Sequence, residues 1–171
     1  MTERPADAAA VLQERARRLA ARGRAGVAAP GSTLDLVVFR LAGERCAIES
    51  SSILHIFPLV DIARLPGALP PLFGVTVWRG DLLVVADLRA ALGMSGAALN
   101  DLARVLVLDG STRFGVLVDA VEDLVRVPAA GVRTPPAGIA ARRDLVRGIT
   151  DDAVIVLDGR AVTRLLDQEA P

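Results

Sequence analysis

One histidine, one cysteine and one tryptophan are the sparse material from which this 171-residue chain could build a reactive centre. A nucleophilic hydrolase needs a base held beside its nucleophile, and the single base here, His55, stands in SSSILHIF, where three neighbouring serines do not make a triad. No G-x-S-x-G occurs. The nearest string, Gly93-Met94-Ser95-Gly96, lacks the spacing of a strained nucleophile elbow and reads as a turn. Neither G-x-G-x-x-G nor G-x-x-x-x-G-K-[ST] is present, and the chain has no lysine, so phosphate-cradle chemistry has no carrier. Zinc needs more soft ligands than one His and one Cys supply. Asp151-Asp152 is a solvated turn pair, Cys46 a small buried apolar side chain at a strand position, and Arg79-Gly80-Asp81 a hairpin turn. His55 ends a strand-like run and reads as a hydrogen-bonded or interface histidine. Trp78, beside that turn, suits core filling and interface anchoring equally. The expectation is no catalytic residue, no metal and no cofactor.

The elements that must position these side chains are built from aliphatics: 52% of residues are hydrophobic but only 3% aromatic. Such a composition suits small barrels rather than a large cofactor cavity. Twenty basic residues balance twenty acidic ones, which removes any global pull toward nucleic acid or acidic lipid. All the basic residues are arginine, a compositional habit, so pairs such as Arg142 and Arg143 read as solvated loop. A lone cysteine, no leader pattern and no bilayer-length apolar run make a cytoplasmic protein the expectation, with no direct membrane insertion.

Residues 6–22 place Ala8, Leu12, Ala16 and Leu19 at helical spacing, and 23–32 read as a Gly/Pro-rich linker, so 1–33 are expected to be an amphipathic helix and its tether. From Leu34 the pattern changes to short Val/Leu/Ile runs between turn signals. Four hairpins follow, turning near Gly43, at Arg79-Gly80-Asp81, near Asp109-Gly110 and at Asp151-Asp152. They also repeat: VVADLRA (84–90) matches IVLDGRA (155–161), each a strand running through an aspartate into a short helix, and VFRLAGER resembles VLVLDGSTR. The pattern predicts two similar barrels, about 34–93 and 103–166, with an aliphatic groove at their seam fit for a partner helix.

FGVTVWRGDLLVVADLRAALG (73–93) resembles the CheW family, with its G-V-x-N-x-R-G turn followed by V-x-D-L-R. The resemblance extends through VVFRLAGERCAIESSSILHI (37–56), RVLVLDGSTRFGVLVDAVEDLVRVP (104–128) and LVRGITDDAVIVLDGRAVTRLL (145–166), covering about 34–167. It implies a mainly β fold of two SH3-like five-stranded barrels with a short C-terminal helix. It also implies a non-catalytic adaptor that couples chemoreceptors to a CheA-type histidine kinase.

Carried over by position, Ile53, Ile56, Val118 and Val121 would line a groove for the helical cytoplasmic tip of a chemoreceptor, with Gly115 allowing close backbone approach. Arg79 would hold the first barrel's hairpin by hydrogen bonds and polarise that surface, with Gly80 completing the structural turn. Phe57, Leu59, Val60 and Asp61 would face the kinase regulatory domain. Three departures stand out: His55 replaces the usual Glu, Val77 the turn Asn, and Cys46 the usual Tyr or Phe. Arg79 would then lack its carboxylate, with Asp81 or Asp87 as substitutes. The family implies recruitment to membrane receptor arrays, and self-association is expected to be weak. The alternatives are a CheW-like scaffold in a pathway other than chemotaxis, and a tandem small-barrel nucleic-acid binder. Zero net charge, no Lys or Tyr and five aromatics weigh against the second.

Overall fold

Several strands are unbroken apolar runs because both of their faces are covered. In β1 (Thr33–Leu41), Leu36 and Val38 point one way and Phe39 and Leu41 the other, and all four are buried. The computed structural model describes residues 31–96, 99–135 and 143–169. The expected N-terminal helix lies outside them.

After β1 come β2 (Glu44–Glu49), β3 (Ile53–Pro58), β4 (Ala63–Arg64), β5 (Leu72–Trp78) and β6 (Asp81–Ala86). The second repeat supplies β7 (Arg104–Leu108), β8 (Phe114–Val118), β9 (Ala120–Pro128), β10 (Val146–Ile149), β11 (Ile155–Leu157) and the helix α1 (Gly159–Glu169). The protein is mainly β with one C-terminal helix, as expected. All four hairpins form: β1/β2, β5/β6, β7/β8 and β10/β11. Two of them turn through paired left-handed residues, Ala42-Gly43 and Arg79-Gly80 (φ 53° and 86°, 55° and 89°). Such turns match the right-handed twist of their strands. Only the second D-x-R segment becomes a helix. After β6 the chain makes a single helical turn, Leu92 N–H to the Leu88 carbonyl, before Gly93 (φ 71°) reverses it.

The sheets do not divide the chain between 93 and 103. One, sheet A, runs β10-β11-β2-β1-β9; the other, sheet B, runs β3-β7-β8-β6-β5-β4. Each therefore joins the opening hairpin of one repeat to the later strands of the other, so the two barrels expected in sequential order are instead interleaved. The junctions are equivalent: β11 lies parallel to β2 (Val156 opposite Ala47) and β6 parallel to β8 (Val85 opposite Gly115). The edge strand β4 gives sheet B a sixth member.

Alternation then sorts side chains into three cores. Leu83, Val85, Val105, Val107 and Leu117 pack inside sheet B, and Leu36, Val38, Ala47 and Val156 inside sheet A. The opposite faces of the same strands supply Phe39, Ile48, Leu106, Leu108, Phe114 and Val116 to a shared core between the sheets. Val162, Leu165 and Leu166 of α1 pack into that layer. Two edge strands, β3 of sheet B and β9 of sheet A, wall the candidate site.

Candidate functional site

The chain crosses between sheets twice, and the strand after each crossing walls one groove. β2 hands over to β3 through Ser50–Ser52, and β8 hands over to β9 at Asp119. Between β3 and β9, with Val37 of β1 at the base, lies a hollow of about 500 Å³. Its apolar lining is Ile53, Leu54 and Ile56 from one wall and Val121 and Leu124 from the other. Leu54 is 42% and Leu124 63% exposed, so the rim presents aliphatic carbon to water.

Of the residues expected here, Ile53, Ile56 and Val121 do line the groove, partly buried against the shared core. Val118 and Gly115 do not. Val118 is fully buried in the shared core behind the wall. Gly115 faces the sheet B interior, where an added Cβ would stand 2.6 Å from Val105 Cγ1. What approaches Gly115 closely is the protein's own core. Both misplacements have one physical cause: β8 is buried on both faces, so its apolar run carries no mark of which side meets solvent.

His55 also lines the groove, and its ring centroid stands 6.2 Å from those of both Phe57 and Trp78. Arg79 lies over the Trp78 indole at 4.7 Å, and Arg113 approaches the same ring at 5.9 Å. Arg79 therefore meets an aromatic face where hydrogen bonds were expected, a contact guanidinium makes well. Asp81 lines a separate polar hollow beside Trp78, and Asp87 is engaged elsewhere. Of the residues expected to face the kinase, Phe57 and Leu59 pack partly against the sheet B core, while Val60 (60% exposed) and Asp61 (φ 50°) face outward.

On the opposite wall, Glu122 accepts hydrogen bonds from Arg40 and from Arg45 Nε (2.9 Å), which hold its carboxyl below the usual range. The arginine missed in the sequence is Arg89 of the D-L-R turn. It is 4% exposed and joins Asp87 (Nη1 to Oδ2, 2.8 Å) to Asp119. Asp119 Oδ2 also accepts the Ala42 N–H at 2.7 Å. The duplication of D-L-R as D-G-R was the signal, and the abundance of arginine obscured it. Among the described residues, no group of three His, Cys, Asp or Glu side chains gathers to hold a metal.

Two interleaved sheets around a shared core, with an open aliphatic groove at the crossings and an aromatic cluster beside His55, define a protein-docking module. A family model, the CheW-like domain, matches residues 35–168. The chain belongs to the CheW-like family, and it is a coupling adaptor of the chemotaxis type. Similar curated proteins include Protein FrzA of Myxococcus xanthus, 30% identical over 116 residues (67% of this chain, 72% of that one). The probable chemotaxis protein CheW of Rhizobium etli is 29% identical over 140 residues (80% and 85%). The chemotaxis protein CheW of Bacillus subtilis is 26% identical over 111 residues (64% and 71%). The fold matches the scaffolding protein TtCheW of Thermoanaerobacter tengcongensis with a TM-score of 0.66 at 23% identity, covering 74% of this chain and 89% of that one. The family is one of non-catalytic scaffolds. Among the described residues no helix is long and apolar enough to cross a membrane.

Proposed function

We propose that the groove between β3 and β9 receives the helical cytoplasmic tip of a chemoreceptor, while the surface around Val60 and Asp61 contacts the regulatory domain of a CheA-type kinase. The observation that carries this reading is the aliphatic groove itself. Ile53, Leu54, Ile56, Val121 and Leu124 offer a strip that an amphipathic helix covers with residues three and four apart. The protein transfers no phosphate. It acts in the cytoplasm by contact free energy, so that a receptor shift favouring one bound geometry changes kinase output through differential affinity.

Calorimetric titration of the full chain against a co-encoded kinase regulatory domain, and separately against a receptor-tip fragment, tests the assignment. Saturable one-to-one binding is expected for both. Ile56→Asp, which puts a charge in the groove, is expected to weaken the tip complex by at least about tenfold and to leave the kinase complex intact. No binding to either partner would overturn the reading.

A further inference from the structure

The two groove walls begin at the two sheet crossings, and each crossing is gripped by one of the duplicated D-x-R turns. At the first, Gly159 lies so close to Ser52 that a Cβ on it would stand 2.6 Å from Ser52 Oγ and 2.7 Å from Ser52 Cβ. At the second, Arg89 binds Asp119, the residue between β8 and β9. The grips occupy matching places in the two repeats but differ chemically: a glycine contact behind β3, a buried ion latch behind β9.

We propose that Arg89 is a positioning residue for the groove, fixing the β9 wall through Asp119. The assignment deepens the docking reading above and rests on it. Arg89 is 4% exposed, Asp119 14% and Asp87 24%, so water competes weakly for these charges. Its two terminal nitrogens reach the two carboxylates, while Nε is buried without a hydrogen-bond partner among the described residues. The carboxylates alone thus orient the guanidinium plane. A lysine offers one nitrogen in place of the two that arginine sets in a fixed fork, so it does not reproduce this geometry.

From Asp119 the latch branches. Its carboxylate takes the Ala42 N–H of the β1/β2 turn, and its own N–H donates to the Arg40 carbonyl at 2.9 Å. Arg40 in turn holds Glu122 at the groove. A turn following β6 in sheet B thereby sets the start of a wall that belongs to sheet A. Loss of the latch frees that wall while leaving Val60 and Asp61 untouched.

The test uses the full chain with Arg89→Lys, and Asp119→Asn as a second variant that keeps shape while removing the charge. Three quantities are read: affinity for the receptor-tip fragment, affinity for the kinase regulatory domain, and amide hydrogen exchange of the free protein. Folded variants are expected to bind the tip about tenfold more weakly and the kinase domain within about twofold of the parent. Faster exchange is expected to be confined to residues 119–124. Parent-like tip binding and exchange in either folded variant would overturn the proposal. So would equal weakening of both complexes with exchange raised throughout, which marks a general structural role. If the parent itself fails to bind the tip, the docking reading falls, and the exchange contrast at 119–124 still judges the latch.

Discussion

Replacing Gly115 with alanine separates a core role from a surface role at a position where the family resemblance points to the receptor groove. The new methyl carbon would stand 2.6 Å from Val105 Cγ1, 3.1 Å from Val85 Cγ2 and 3.2 Å from Leu83 Cδ2. Val105 and Val85 are fully buried and Leu83 nearly so. Valine is stiff at χ1, so neither neighbour can swing away without leaving its rotamer. Overpacking of this kind costs about 1–3 kcal/mol. Removing a glycine narrows the unfolded ensemble and returns about 0.4–1 kcal/mol. The net expectation is a loss of about 1–2 kcal/mol, read as a lower urea midpoint at unchanged slope. Receptor-tip affinity of the folded variant should equal the parent's. Stability within about 0.3 kcal/mol of the parent, below the range for overpacking, together with lost tip binding, would refute the packing argument and return Gly115 to the binding surface.

Burial, then the charges of Glu44 and Asp119, push the Cys46 thiol up to about 12. Native protein at pH 8 should resist a thiol-specific disulfide reagent that labels the unfolded chain promptly, and rapid stoichiometric labelling of the native state would contradict this. Because the folded value lies above the unfolded one, the thiol's stabilising contribution is intact below pH 9 and lost as pH climbs toward 12. Cys46→Val should remove that part of the alkaline decline in unfolding free energy. His55→Glu sets a carboxylate beside the Trp78–Arg79 pair, and the guanidinium is expected to leave the indole for it. Such a surface pair is worth at most about 1 kcal/mol, so tip affinities should shift a few-fold and favour tips with a basic residue facing position 55. Unchanged Trp78 emission and unchanged tip preference would remove His55 from specificity.

The hairpins were legible because their turns are spelled locally: Ala42-Gly43 and Arg79-Gly80 place glycine where left-handed backbone is needed. The duplication was legible in VVADLRA and IVLDGRA, and Asp87 and Asp158 each accept a backbone N–H just downstream, that of Arg89 two residues on and that of Ala161 three residues on. Strand partnership was not legible. Nothing local tells β2 to lie against β11 and not β6, since all three are short strands whose partners are set only by long-range registry. The site divides along the same line. Ile53, Ile56 and Val121 stand on strands that are only half covered, whereas Gly115 and Val118 belong to β8, where every position is buried and phase carries no information. Arg89 escaped notice because its burial depends on Asp119, thirty residues on in the other repeat.

Interleaving also dictates when the protein can exist. β1 finds its outer neighbour only at β9, with Thr33 opposite Pro128, and β2 finds its own only at β11, with Cys46 opposite Ile155. A ribosome must therefore release the chain through Leu157 before sheet A can close, and until then the β1/β2 hairpin carries two apolar faces into water. Long-range closure of this sort is slow and leaves unpaired strands exposed while it proceeds. For this molecule the vulnerable interval runs from the emergence of β2 to that of β11, while the opening hairpin waits for its neighbours.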